Sequence, residues 1–193
     1  MEPLNYLEIL NAAGRFSSTD VALFGQYAVT REVRRNTVLV KPGQVAHHAF
    51  FNLSGAFYQY RINEDNDLQI LELYEDRGWF LDQQSFVSRK PAQSFLEAYE
   101  DSWVVEISLS AMHQLITLSP VFFQLGRILD TANARLHFFD RQMTPAEKYR
   151  YILEHRPALL QKFPLKLIAS YLKITPETLS RVREQFSKNG RLS

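Results

Sequence analysis

The stretch from Pro164 to Lys188, PLKLIASYLKITPETLSRVREQFSK, restricts the fold more than any other part of the chain. Leu165, Ile168, Ala169 and Leu172 fall at i, i+3, i+4 and i+7, which lines one side of a helix. Ala169 is small where a second helix would cross closely. Lys173-Ile174 interrupts the pattern as a turn, with Ile174 plugging the corner. Thr175 has the chemistry of a cap, because its hydroxyl accepts a hydrogen bond from a free backbone N–H of the next turn. Pro176 follows at the first helical position, where its missing N–H costs nothing. Leu179, Val182 and Phe186 mark the buried side of a second helix, and Glu177, Ser180, Arg181 and Glu184 its outer side.

That outer side has the chemistry of a base reader. Arg181 can donate twice to guanine O6 and N7, and Glu177 can accept from cytosine N4. Thr178, Arg183, Lys166 and Lys188 suit phosphates, which position a protein without carrying sequence information. Thr175 and Ser180 complete the candidate DNA face. An ordinary helical hairpin with a solvated face has the same spacing, so charge has to decide. Residues 144–193 hold ten Lys or Arg against four Glu, net +6, whereas residues 1–143 hold twelve against seventeen Asp or Glu, net −5. A basic tail on an acidic body is the electrostatic footprint of a nucleic-acid module, although the whole chain carries only +1.

Upstream, the pattern changes twice. Leu4, Leu7, Leu10, Val21, Phe24 and Tyr27 predict two helices within residues 4–30, broken by Ser17-Ser18-Thr19-Asp20 as a cap. From 31 to 107 the chain becomes β-rich. Expected strands are Thr37–Val40, Ala49–Leu53, Ala56–Ile62, Leu68–Tyr74, Ser94–Tyr99 and Trp103–Ile107, separated by turns such as Lys41-Pro42-Gly43 and Asn63–Asp67. Short strands at this spacing predict an antiparallel roll of jelly-roll type. Ser110–Leu118 reads as a short helix. From Pro120 to about Gln142 a long helix is expected, with Phe122, Leu125, Leu129, Ala132, Leu136, Phe139 and Met143 at alternating steps of three and four. That heptad seam predicts a parallel homodimer, and the competing reading is a stripe packed on its own sheet. Thr144-Pro145 repeats the cap-then-proline signal and opens a helix to about Glu154. The expected organisation is an effector domain over 1–118, a dimerisation helix over 119–143 and a helix-turn-helix domain over 144–193, in the α+β class.

This order of parts resembles the Crp/Fnr family of transcription regulators. The likeness is sharpest in LKLIASYLKITPETLSRVR, and TPETLSRVR is similar to the short members of the Bacteroidetes group. The family reads bases with a Glu and an Arg four residues later, matched here by Glu177 and Arg181. It senses an effector, often a cyclic nucleotide, in the roll, dimerises by the long helix and contacts RNA polymerase. The resemblance therefore implies a double-stranded inverted repeat and RNA polymerase as partners. Two departures stand out. Leu81-Asp82 stands where cyclic-nucleotide binders have Gly-Glu, and Gln93-Ser94 stands where they have Arg-Ser. A buried cyclic phosphate without a cation loses its charge-assisted bonds, and Asp82 repels it, so cyclic AMP is not the expected effector. Arg89 is the nearby cation that would have to substitute. Tyr58, Tyr60, Trp79, Phe80, Asp82, Arg89, Gln93 and Ser94 form the candidate effector pocket, with Phe86 and Phe95 adding to an apolar cavity between roll and long helix. The second departure is the wing, for which only Asn189–Ser193 remain, so a full hairpin does not fit.

Several classes are excluded or disfavoured. Without cysteine there is no disulfide, thiolate metal site or cysteine-held cluster. His47, His48, His113, His137 and His155 show no ligand spacing, and no metal or cofactor is expected. Gly-x-Ser-x-Gly, phosphate-loop and His-Glu-x-x-His motifs are missing, so no catalytic residue is assigned. Glu75-Asp76 and Glu100-Asp101 read as solvated turn residues. The start MEPLNYLEIL lacks a signal-peptide layout and no apolar run reaches membrane-span length, which predicts a cytoplasmic protein without membrane contact. The alternative function is a small-molecule-binding module whose C-terminal helices meet a protein partner.

Overall fold

The computed structural model describes residues 5–129 and 142–189. Two short helices open the chain, α1 (Tyr6–Asn11) and α2 (Ser18–Tyr27). The expected break between them is a capping box: the Ser17 hydroxyl accepts from the Asp20 N–H, and the Asp20 carboxylate accepts from the Ser17 N–H. Helix α2 ends where β-branched residues begin. β1 (Val29–Val33) is a strand that the sequence reading did not anticipate.

The roll then runs through β2 (Val38–Val40), β3 (His48–Ser54), β4 (Phe57–Ile62), β5 (Leu68–Tyr74), β6 (Gly78–Phe80), α3 (Gln83–Ser88), β7 (Phe95–Ala98) and β8 (Ser102–Ser108). The strands form two antiparallel four-stranded sheets, in the orders β1-β8-β3-β6 and β2-β7-β4-β5. All six expected strands are present. The three-residue β6 and the six-residue α3 were missed because each is too short to show a period. Gly55 makes the β3–β4 turn at φ 107, and a Cβ there would lie 2.0 Å from the Ser102 hydroxyl, so only glycine fits. The sheets enclose an aromatic core in which Phe80 contacts Phe57, Tyr74 and Phe50 at centroid distances of 4.5, 5.2 and 5.3 Å. Phe57 and Phe80 are fully buried, and each such burial stabilises by about 1.5–3 kcal/mol.

α4 (Leu109–Leu118) follows β8 directly, capped by the Ser108 hydroxyl. The next segment departs from the expected straight helix. Pro120–Gly126 is a 3-10 helix, and α-helical backbone begins only over 127–129. Phe122 and Leu125 are buried in the same core cluster as the roll, with Leu129 packed against it. Phe122 and Leu125 therefore face their own chain, which corrects their assignment to a dimer surface, whereas Leu129 is only half-buried against the cluster. The apolar stripe begins where the segment still has to cover the roll. Ala132, Leu136 and Phe139 lie outside the described residues.

The C-terminal helices are α5 (Pro145–His155), α6 (Ala158–Lys162), α7 (Leu165–Tyr171) and α8 (Pro176–Asn189). α5 begins at a second capping box, Thr144 with Glu147. The second apolar cluster joins these helices to Tyr60, Ile70 and Leu73 of β4 and β5. Two ion-pair groups close the same joint. Arg156 meets Glu72 and Glu75, and Lys162 meets Asp76 and Glu100. Glu75, Asp76 and Glu100, read as solvated turn residues, are thus half of a joint between the roll and the helices, whereas Asp101 is exposed and meets Arg34 within the roll. Among the described residues no helix is long and apolar enough to cross a membrane, and no group of acids and histidines is arranged to hold a metal.

Candidate nucleic-acid interface and effector cradle

The turn before α8 is built by backbone bonds. Lys173 adopts the left-handed region at φ 55. This lets the Lys173 N–H reach Ser170 O at 3.0 Å and the Ile174 N–H reach Ala169 O at 3.1 Å, the paired bonds of a Schellman end. Ile174 packs partly into the cluster beneath the turn. Thr175 then caps α8: its Oγ1 accepts from the Thr178 N–H at 3.2 Å and its carbonyl from the Leu179 N–H at 3.0 Å. Leu179 and Val182 are buried, and Phe186 stands edge-on to Tyr149 at 5.4 Å. The inner side of α8 is therefore the one expected from spacing.

The outer side keeps Glu177, Ser180, Arg181, Arg183 and Lys188 exposed, with Lys166 exposed on α7 and Thr178 half-buried. They are not equally available. The Glu177 carboxyl is held below the usual carboxylate range by its own backbone N–H, then by the Thr175 hydroxyl and by Arg181 one turn on. It is engaged with the helix start and must turn outward to meet a base. Lys188 pairs with Glu184 at 2.6 Å, an exposed contact of little energetic consequence. Arg181 is exposed and makes a long 3.5 Å contact with Thr178 Oγ1, which leaves its guanidinium presented outward. The stretch over 189–193, where the wing was expected to be reduced or absent, lies outside the described residues from 190 on.

The eight candidate pocket residues do not converge. Tyr58 and Tyr60 donate to the two oxygens of Glu97 at 2.9 and 2.7 Å, and Tyr60 stacks on Phe95 at 5.0 Å. These three rings belong to or pack against the C-terminal cluster, on the face of β4 opposite Phe57 and Gln59. Burial first, and then Glu97, raises both tyrosine pKa values, so the phenols stay protonated donors. Trp79 is committed to the N-terminal helices, donating to Ile9 O at 3.1 Å, and Phe80 and Phe86 are roll core. Arg89, left-handed at φ 58, turns outward. Its NH1 donates to Ala46 O at 2.7 Å and its NH2 lies 2.9 Å from His47 Nδ1. His47 and His48 both line the open cleft beside it, because His47 precedes the strand.

Asp82 and Ser94 do meet. The Asp82 carboxylate, 3% exposed, caps α3 by accepting from the Ser85 N–H at 3.0 Å. It also accepts from the Ser94 hydroxyl at 2.9 Å and Gln59 Nε2 at 3.3 Å. Gln59 donates to Ser94 as well, at 2.8 Å, and accepts from the Tyr74 hydroxyl at 3.0 Å. Gln59, Tyr74 and Ser85 were not singled out from sequence. The signal for Gln59 was the alternation in FYQYRI, which sets 57 and 59 on one face and 58 and 60 on the other. At the rim, Arg61 NH2 lies 3.5 Å from Gln93 Oε1, and its buried Nε has no hydrogen-bond partner among the described residues.

A cyclic nucleotide brings an anionic phosphodiester, and these residues do not fit one. The buried charge is a carboxylate of the same sign, and the Ser94 hydroxyl is already donated to it. Arg89 is bonded elsewhere, which corrects its assignment as a substitute cation. A second opening, a cavity of about 180 Å³ lined by residues including Leu81, Phe86, Met112 and Phe123, is apolar.

Residues 30–118 match the cyclic nucleotide-binding domain family. No curated protein matches the chain in sequence. Among solved structures, FixK2 from Bradyrhizobium japonicum aligns with a TM-score of 0.67 at 18% identity, covering 84% of this chain and 86% of that one. A CooA mutant from Carboxydothermus hydrogenoformans aligns at 0.61 and 16%, covering 98% and 87%. The c-di-GMP responsive global regulator CLP of Xanthomonas campestris aligns at 0.59 and 16%, covering 90% and 93%. At such identities the likeness shows the fold. Residues 30–118 thus match a cyclic nucleotide-binding domain, within an overall fold shared with FixK2, CooA and CLP.

Proposed function

We propose that this protein is a dimeric, DNA-binding transcription regulator of Crp/Fnr type, reading an inverted repeat with α8 and governed by an effector other than cyclic AMP. The observation that carries the reading is α8 itself. It is capped by Thr175, anchored through Leu179 and Val182, and presents Arg181 outward from a unit of net positive charge. Arg181 reads guanine, Glu177 reads its neighbour after leaving the Thr175 cap, and Lys166, Arg183 and Lys188 neutralise phosphates. Ser180 and Thr178 lie between these groups on the same helix.

Dimerisation rests on the heptad spacing that continues through Ala132, Leu136 and Phe139. Two copies of α8 related by a two-fold axis match a two-fold operator. The shared fold with CLP, a c-di-GMP responsive regulator, supports a scaffold that takes effectors of more than one kind. The closed Asp82–Ser94–Gln59 group and the unpaired Arg61 Nε at the rim favour an effector whose acceptor atoms stay at the rim.

The test is duplex binding by the wild type and Arg181→Ala over a salt series. Loss of one bidentate base contact weakens specific binding by about 1–3 kcal/mol, whereas non-specific affinity and its salt slope change little. Equal specific affinity of the two proteins would remove Arg181 as the reader.

A further inference from the structure

We propose that the β4–β5 hairpin is a latch by which the roll holds the C-terminal unit, so that releasing it reorients α8; this rests on α8 being the reading helix. The joint is unusually specific. Arg156, at the end of α5, places all five guanidinium N–H groups on acceptors. NH1 donates to Glu72 Oε1 and the Tyr171 hydroxyl, both at 2.7 Å, Nε donates to Glu75 Oε1 at 2.9 Å, and NH2 donates to Leu73 O and Glu75 Oε2. Burial works against this charge, but Glu72, Tyr171 and Glu75 outweigh it and raise the Arg156 pKa well above its ordinary value.

β5 is an edge strand, and α7 supplies what a neighbouring strand would. Ser170 Oγ accepts from the Ile70 N–H at 3.0 Å and donates to Leu68 O at 3.2 Å. Lys162 reaches across to Gly55 O, Asp76 and Glu100 at 3.0, 3.1 and 2.9 Å.

The same hairpin faces the cradle from its other side. Gln59 on β4 and Tyr74 on β5 are bonded to each other, and Gln59 to Asp82 and Ser94. The β4–β5 ladder shifts register between Gln59–Glu72 and Tyr60–Ile70, leaving Leu71 as the extra residue of a bulge. Bulges re-aim side chains, and the residue beside this one, Glu72, is the partner of Arg156. Two consecutive β4 residues thus belong to different sides: Gln59 to the cradle and Tyr60 to the cluster under the C-terminal helices. A change at the cradle has a route one sheet thick to the reading unit, through the β4–β5 hairpin alone. The bond set suits a two-state joint. Ion pairs of this kind fix geometry, while their desolvation offsets much of their attraction, so the closed state is specific without being irreversible.

The absence of cysteine allows a direct test. Cysteines at two exposed sites, Glu64→Cys in the β4–β5 turn and Gln185→Cys on α8, take spin labels in the full-length protein. The closed latch gives one narrow distance distribution, and Arg156→Met adds a second, broader population. Ser170→Ala, a milder change, raises exchange of the Ile70 amide about tenfold, the loss expected for one hydrogen bond. It keeps the test decisive if circular dichroism shows that Arg156→Met does not fold. An unchanged distribution in folded Arg156→Met, or an unchanged Ile70 exchange rate in Ser170→Ala, overturns the latch. Duplex binding is measured on the same samples. Altered distances with no duplex binding by any form would leave the latch standing and remove the DNA reading; duplex binding with unaltered distances would do the reverse.

Discussion

Replacing Asp82 with alanine tests whether the cradle is a self-satisfied polar group or a seat waiting for a ligand. Three bonds end on this carboxylate, from the Ser85 N–H, the Ser94 hydroxyl and Gln59 Nε2. Loss of the α3 cap removes about 1 kcal/mol. The Ser94 and Gln59 donors lose an acceptor at a buried site, where one unsatisfied group costs about 1–3 kcal/mol. Gln59 and Ser94 already bond each other at 2.8 Å, so one orphan rather than two is the fair count. Asp82→Ala is then expected to lose about 2–4 kcal/mol. Asp82→Asn keeps an oxygen for the cap but sets an NH2 against two donors, and loses about 1–2 kcal/mol. Urea unfolding read by fluorescence of the buried Trp79 measures both. With a slope of about 2–3 kcal/mol/M, the alanine midpoint falls by roughly 1 M. An alanine variant as stable as the parent, or more stable, would refute the reasoning. The buried carboxylate would then be a burden kept for a ligand.

Three further outcomes follow from the same geometry. Phe122→Ala should cost about 3–5 kcal/mol by opening a cavity in the roll core, with the sedimentation coefficient unchanged; dimer dissociation at unchanged stability would return Phe122 to the interface. Thr175→Ala should cost about 1 kcal/mol through the lost α8 cap and speed exchange at the Thr178 amide, and equal exchange rates would contradict the cap. Acid should loosen the starts of α2 and α5 first. The Ser17 and Thr144 bonds hold the Asp20 and Glu147 carboxyls below their ordinary values. Their contribution is complete above the unfolded carboxylate pKa of about 4 and is lost as pH falls through the lower folded values; amide exchange at Asp20 and Glu147 that ignores this window would speak against it.

Local chemistry was the legible part of the sequence. Six strands, the caps before α2 and α5 and the Lys173–Pro176 turn follow from alternation, Ser/Thr chemistry and proline, each a property of a few adjacent residues. Elements without a full period, β6, α3 and α6, left no trace that spacing could detect. The heptad arithmetic was sound as arithmetic, but it carries no statement of what the stripe covers. Phe122 and Leu125 were claimed by the roll because the chain leaves α4 through a 3-10 helix at Pro120. The aromatic pocket failed for a different reason. Tyr58, Tyr60 and Phe95 have the composition of a ligand cage, yet strand alternation turns them toward the C-terminal helices, a partner that becomes visible only in three dimensions. Glu75 and Glu100 misled in the same way, because their cations, Arg156 and Lys162, lie far along the chain.

The central claim is that α8 reads DNA as one half of a two-fold pair. Selection of duplexes from a random-sequence library, at several salt concentrations and with both the wild type and Arg181→Ala, tests it most directly. The account predicts an inverted repeat enriched by the wild type and lost or degraded at one position per half-site by the variant. No enriched sequence at any salt concentration, or the same repeat from both proteins, would contradict it.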